Sequence, residues 1–222
     1  MEDTHFSGPA GNYPVDTRNY LRLGAVYLGE QRCFFRVWAP AAATVEVELV
    51  APILARLPLR RQGSYFVGEF KEIPPGALYY YLLDGKRRYP DPASRCQPQG
   101  VHGPSAVVDL TFPWQDGGWT GLLPWEYVIY ELHVGTFTEA GTFGAIIPRL
   151  AALKELGITA VEIMPVAQFP GSRNWGYDGV YPFAVHTAYG GPRGLMELVN
   201  ACHRLGLAVI LDVVYNHLGP EG

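Results

Sequence analysis

Leu207-Ala-Val-Ile-Leu211 runs directly into Asp212-Val-Val-Tyr-Asn-His217, so a strand-sized apolar stretch is followed at once by three polar side chains. A strand that is apolar at every position is buried on both faces, as in a parallel sheet covered by helices. Polar residues clustered just past the end of such a strand mark the face on which an α/β barrel keeps its chemistry. Reading upstream, Tyr127-Val-Ile-Tyr-Glu-Leu132 is a first strand. A helical stretch follows, with Ile146, Ile147, Leu150, Leu153 and Leu156 on one face, Pro148 near its start and Gly157 at its close. Thr159-Ala-Val-Glu-Ile-Met164 is a second strand, then come a long loop and a helix with Leu195, Leu198, Val199 and Cys202 in register between Pro192 and Gly206. The order β-α-β-α-β predicts the first three strands of a (β/α)8 barrel. A complete barrel takes about 250 residues, so the expectation is a truncated barrel with an open edge and little stability of its own.

The first half is written in a different period. Cys33-Phe-Phe-Arg-Val-Trp38, Val45-Glu-Val-Glu-Leu49, Tyr65-Phe-Val-Gly-Glu-Phe70 and Leu78-Tyr-Tyr-Tyr-Leu-Leu83 are short strands separated by Pro, Gly and Asp turns. That spacing predicts an antiparallel β-sandwich, taken as immunoglobulin-like. The fold class is therefore multidomain, β followed by α/β. A linker is read over Asp109 to Leu123, giving a sandwich domain over 1–115 and a partial barrel over 116–222. Tyr79, Tyr80 and Tyr81 cannot all point inward, so this half is also weighed as a binding or docking module with an exposed aromatic.

Composition excludes several classes. With 48% hydrophobic and 17% charged residues the 222-residue chain reads as globular. No apolar run approaches the roughly 18 residues of a membrane span, and Met1-Glu-Asp-Thr-His5 lacks the basic and apolar regions of a leader. A cytoplasmic location is expected. The net charge of −4, with no basic run longer than Lys86-Arg-Arg88, leaves no footprint for nucleic acid or an anionic membrane. Cys33, Cys96 and Cys202 are far apart and read as reduced structural thiols.

Beyond composition, Asp212-Val-Val-Tyr-Asn-His217 resembles the first signature region of the α-amylase superfamily of glycoside hydrolases. So do Tyr130-Glu-Leu-His-Val-Gly-Thr-Phe137, Leu156-Gly-Ile-Thr-Ala-Val-Glu-Ile-Met-Pro-Val166, Asn174-Trp-Gly-Tyr-Asp-Gly-Val180 and Ala188-Tyr-Gly-Gly-Pro192. Phe35-Arg-Val-Trp-Ala-Pro40, Tyr89-Pro-Asp-Pro-Ala-Ser94 and His102-Gly-Pro-Ser105 are similar to the sandwich shared by the superfamily's trehalohydrolases and glycogen branching enzymes. The resemblance runs over about residues 22 to 222. It implies an enzyme acting on an α-1,4-glucan, first the trehalohydrolase branch, which releases trehalose from a maltooligosyl chain. The branching enzymes are the alternative.

Residue by residue, the resemblance makes Tyr177 a sugar-stacking platform, with Trp175 beside it, and His217 the donor of an imidazole N–H to a glucose hydroxyl. Asp212 becomes an orienting carboxylate whose arginine partner lies on the next strand, and Asn216 a supporting polar group. Asn216 corresponds to a calcium ligand in many amylases, but one amide oxygen is far short of the roughly 6 to 8 that calcium takes. No metal and no cofactor is expected. Phe169 and Tyr181 lie on the same long loop as further aromatics, about half of the group serving as packing. The nucleophile and acid implied by the resemblance follow strands four and five, beyond Gly222, so no catalytic carboxylate is assigned and the chain alone is expected to be inactive. Glu131, Glu162 and Asp178 keep plain hydrogen-bonding roles. A metal-dependent hydrolase built on His133 and His217 is disfavoured, because Glu131 stands where an H-x-H pair needs its first histidine.

Overall fold

Strict alternation in Val45-Glu-Val-Glu-Leu49 sends Val45, Val47 and Leu49 to one side of a strand, and in the computed structural model these three are buried. The structure describes residues 22–221; the Met1–His5 start and the Gly222 end lie outside the described residues. In chain order the strands of the first half are β1 (Gly24–Gly29), β2 (Arg32–Trp38), β3 (Val45–Ala51), β4 (Ala55–Pro58), β5 (Arg60–Gln62), β6 (Tyr65–Phe70), β7 (Leu78–Leu83), β8 (Arg87–Tyr89) and β9 (Ser105–Ala106). They form two antiparallel sheets, β1-β2-β6-β5 and β4-β3-β7-β8, with β9 added to β7. The sheets close over Phe35, Val47, Phe66, Tyr79 and Tyr81. All four strands expected here are present.

Of the three consecutive tyrosines, Tyr79 and Tyr81 are buried in this core and Tyr80 lies on the other face, with the Arg88 guanidinium 5.1 Å from its ring centre. The same face carries Glu48, whose carboxylate accepts from Arg88 at 2.6 Å and Arg56 at 3.2 Å. Those contacts, Arg88 first, hold the Glu48 carboxyl below its usual range. The tyrosine run thus supplies core packing and an arginine-covered ring. Buried Asp91 anchors the Tyr89–Ser94 segment, accepting from the Tyr79 hydroxyl at 2.6 Å and the Ala93 N–H at 2.8 Å. Burial raises its carboxyl above the usual range.

The second half holds the parallel sheet. Strands β10 (Ile129–Leu132), β11 (Ala160–Ile163) and β14 (Ala208–Leu211) pair in parallel in that order, with Leu132, Ile163 and Leu211 level at their C-terminal ends. Short helices α1 (Val134–Phe137), α2 (Phe143–Ile146) and α3 (Leu150–Glu155) connect β10 to β11, and the longer α4 (Gly191–Arg204) leads to β14. Ile146, Leu150, Leu198 and Cys202 pack on Val161 and Ile163, one face of the sheet. By alternation the other face carries Ile129, Glu131, Glu162 and Ile210.

Three expectations are corrected. The stretch read as one helix is broken, because Pro148 has no N–H to give and sits in a 3-10 turn over Ile147–Arg149 between α2 and α3. Leu156 is 73% exposed at the C-terminal end of α3, away from the side on which Leu150 and Leu153 are buried. The loop after β11 contains an antiparallel hairpin of β12 (Ala167–Gln168) and β13 (Tyr181–Val185).

The halves are joined by specific contacts. Tyr181 donates its hydroxyl to the Val101 carbonyl at 2.8 Å, and Thr187 donates to the Gln97 carbonyl at 3.0 Å. Within the stretch read as a linker, Trp119 stacks on His203 of α4 at 4.8 Å, and Asp116 lies 2.7 Å from His203 Nδ1. Cys33, Cys96 and Cys202 are all free, and burial pushes the Cys202 thiol up to about 12, the behaviour of inert packed thiols. Among the described residues no helix is long and apolar enough to cross a membrane.

Candidate active-site wall

Because the three strands are parallel, His133, Met164 and Asp212 leave the sheet at the same end. The segment after β11 is shaped by Asn174. Its Oδ1 accepts the N–H groups of Gly176 at 2.8 Å and Tyr177 at 3.1 Å, and its Nδ2 donates to Asp178 at 2.6 Å. An asparagine that bonds the backbone ahead of it in this way makes a tight turn without a strand partner. Gly176, inside that turn, has φ +100°, and a Cβ there would stand 2.8 Å from the Pro165 carbonyl oxygen. Only glycine fits.

The turn presents Trp175 and Tyr177 outward, 63% and 51% exposed. Exposed rings of this size are costly in water, and their apolar faces match the C–H face of a pyranose. His217, on the segment following β14, reaches back so that its Nε2 lies 2.7 Å from the Tyr177 carbonyl. A carbonyl only accepts, so Nε2 carries the proton, and in the neutral ring Nδ1 is left to a ligand as an acceptor rather than as the donor expected from the resemblance. Gly219 adds a second tie, its N–H donating to the Gly179 carbonyl at 2.9 Å. Two of the expected residues, Tyr177 and His217, are thereby brought together.

Asp212 lies on the neighbouring groove, of about 150 Å³, with Gly176, Gly179 and Tyr215. Its backbone N–H donates to the Ile163 carbonyl at 2.9 Å, and its side chain makes no hydrogen bond among the described residues. Asn216 is exposed. Of the other aromatics, Phe169 is fully buried against His186, ring centres 3.6 Å apart, and Tyr181 is buried against Val101. Both are packing residues.

Sequence reading weighed His133 only as a metal ligand and gave Tyr189 no role. His133 Nε2 lies 2.7 Å from the Asn174 carbonyl, its Nδ1 3.3 Å from the Thr136 hydroxyl, and the buried Tyr189 hydroxyl 3.2 Å from Nε2. These contacts brace the Asn174 turn from behind. The spacing of His133 past its strand was visible, but its partner is a backbone carbonyl 41 residues on, which no local pattern reveals. Among the described residues no three His, Cys, Asp or Glu side chains are grouped to hold a metal ion.

The α-amylase catalytic-domain family matches residues 90–222. The chain belongs to that family. It is similar to the malto-oligosyltrehalose trehalohydrolase of Saccharolobus solfataricus, 50% identical over 195 residues, which cover 88% of this chain and 35% of that protein. Among solved structures it is similar to a putative alpha amylase from Salmonella typhimurium, with TM-score 0.84, 43% identity, and coverage of 90% of this chain and 34% of that one. A pullulanase from Anoxybacillus sp. LM18-11, complexed with maltotetraose, gives TM-score 0.74 at 27% identity, covering 88% and 35%. The chain therefore spans about a third of the length of these relatives. The family match begins at residue 90, inside the sandwich half as read from sequence.

Proposed function

We propose that the whole protein hydrolyses the α-1,4 bond next to the terminal trehalose of a maltooligosyltrehalose, releasing trehalose, and that this chain supplies one wall of the glucan cleft. The observation that carries the reading is the 50% identity to a trehalohydrolase over 88% of the chain. It is supported by the turn that holds Tyr177 and His217 together at the strand ends. In this reading Tyr177 stacks on the sugar ring beside the scissile bond, Trp175 on another ring, and His217 bonds a hydroxyl through Nδ1. Asp212 and Asn216 support the floor.

The sandwich is read as immunoglobulin-like, over 1–115, and residues 116–222 as the opening of a (β/α)8 barrel. Three free thiols fit a reducing, cytoplasmic compartment. A retaining glycosidase needs two carboxyl groups about 5 to 5.5 Å apart across the bond. Glu131 and Glu162, level on adjacent strands, stand on one wall only, and Asp178 is bound by Asn174. The expectation is that residues 1–222 alone release no trehalose.

Incubation of the whole protein with maltooligosyltrehalose is the test, with free trehalose as the expected product. New α-1,6 branches on amylose, without trehalose release, would replace this reading by a branching enzyme.

A further inference from the structure

Two histidines hold one turn. His217 donates its Nε2–H to the Tyr177 carbonyl, and His133, just past β10, stands 2.7 Å through its own Nε2 from the Asn174 carbonyl. A carbonyl only accepts, so His133 also carries its proton on Nε2. The turn is thereby fastened by two of its carbonyls, from the strands on either side of β11. We propose that His133 is a positioning residue, which acts through the Asn174 backbone to hold the Tyr177 ring in its working place. This role rests on the reading of Tyr177 as the ring that stacks on the sugar, and it adds the group behind that ring which keeps it there.

His133 is itself fixed on every side. In the neutral ring its bare Nδ1 accepts from the Thr136 hydroxyl, 3.3 Å away. The Tyr189 hydroxyl lies 3.2 Å from Nε2 and 3.5 Å from the same Asn174 carbonyl. Burial pushes that hydroxyl up to about 12, so it keeps its proton and shares the carbonyl with Nε2. The Tyr189 ring meets the imidazole edge-on with centres 5.9 Å apart, and the Trp175 ring tilts across it at 5.2 Å. A Cβ at Gly135 would come within 3.0 Å of the His133 ring and 3.2 Å of the Tyr189 ring, so a glycine gives the chain after β10 room to pass the pair. With both nitrogens engaged, His133 has no polar atom left for a ligand.

The hold passes to Tyr177 through one residue. Asn174, whose carbonyl His133 grips, accepts the Gly176 and Tyr177 N–H groups with its own side chain. A shift of Asn174 therefore moves the ring, and a misplacement of about 1 Å can cost about a hundredfold in rate. Folding is served by other groups, because the ladder ends on Leu132, paired with Ile163, and the His133 side chain takes no part in it. Positioning and stability can thus be separated.

The test is a double-mutant cycle of His133 with Tyr177 in the whole protein, read as kcat/KM for trehalose release and as maltotriose affinity, with melting temperatures alongside. His133→Phe keeps a ring and loses the donor, and should cost about tenfold in both readouts. In Tyr177→Ala protein the same change should cost less than about twofold, because the ring it positions is gone. His133→Gln, whose amide N–H reaches nearly where Nε2 stands, should return to within about threefold of wild type. Equal losses in the two Tyr177 backgrounds, or a folded His133→Phe protein indistinguishable from wild type, would overturn the role. If wild type releases no trehalose but maltotriose binding shows the coupled pattern, the proposed reaction fails and the role of His133 stands. Additive losses in binding overturn that role whichever reaction is found.

Discussion

Single side chains decide whether the wall exists. Asn174 satisfies backbone donors that have no strand partner, so Asn174→Ala should cost about 1 to 3 kcal/mol in urea unfolding and release Tyr177. Asn174→Asp, which keeps the acceptor but replaces the donor to Asp178 by a second carboxylate, should recover only part of it. Gly176→Ala should be at least as damaging as Asn174→Ala, because it meets both a positive φ and the Pro165 carbonyl. His186 gives a pH signature. It is buried against Phe169, neither ring nitrogen has a partner among the described residues, and burial lowers its pKa to about 4. The unfolded imidazole takes its proton near pH 6.5, so this contribution is complete above about 6.5 and is lost as pH falls through about 4. Up to about 3 kcal/mol is at stake, and His186→Leu should flatten the stability profile across that window in thermal melts. Asn174 stands inside a stretch legible in sequence, whereas His186 does not announce itself, since it acts through a packing contact 17 residues away.

At the scale of elements, hydrophobic period was the most legible signal. The alternating run Val45–Leu49 and the aromatic run Leu78–Leu83 became strands β3 and β7, and the largely apolar runs of the second half became the parallel β11 and β14. Helix α4 matches its expected stripe because Pro192 lies in its first turn, where its missing N–H is harmless. The other helical stretch failed at Pro148, which falls inside and divides it. This distinction has a measurable consequence. Leu150→Ala, in the core, should cost about 2 to 5 kcal/mol in equilibrium unfolding, while Leu156→Lys, on the exposed side, should shift stability by less than about 0.5 kcal/mol. The β12–β13 hairpin was unreadable because its two-residue strand Ala167–Gln168 is too short for a period and its partner starts at Tyr181.

For the whole molecule, the two cores differ in how well their sheets are closed. The sandwich packs two sheets over one interior. Among the described residues β10 and β14 each have one strand neighbour, and their exposed face carries Ile129 and Glu131. Hydrogen exchange on residues 1–222 should therefore show slower amides in β2, β3, β6 and β7 than in β10 and β14; equal protection would contradict this. The family could be read from sequence because Asp212–His217 and Asn174–Val180 carry turn geometry and chemistry in one stretch. The hold of His133 on that turn could not, since its partner carbonyl stands 41 residues on. Trehalose release by the whole protein carrying Tyr177→Phe or Tyr177→Ala tests the glucan wall most directly. Tyr177→Phe should keep most of kcat/KM, and Tyr177→Ala should lose about thirtyfold or more; a folded Tyr177→Ala enzyme as fast as wild type would contradict the account.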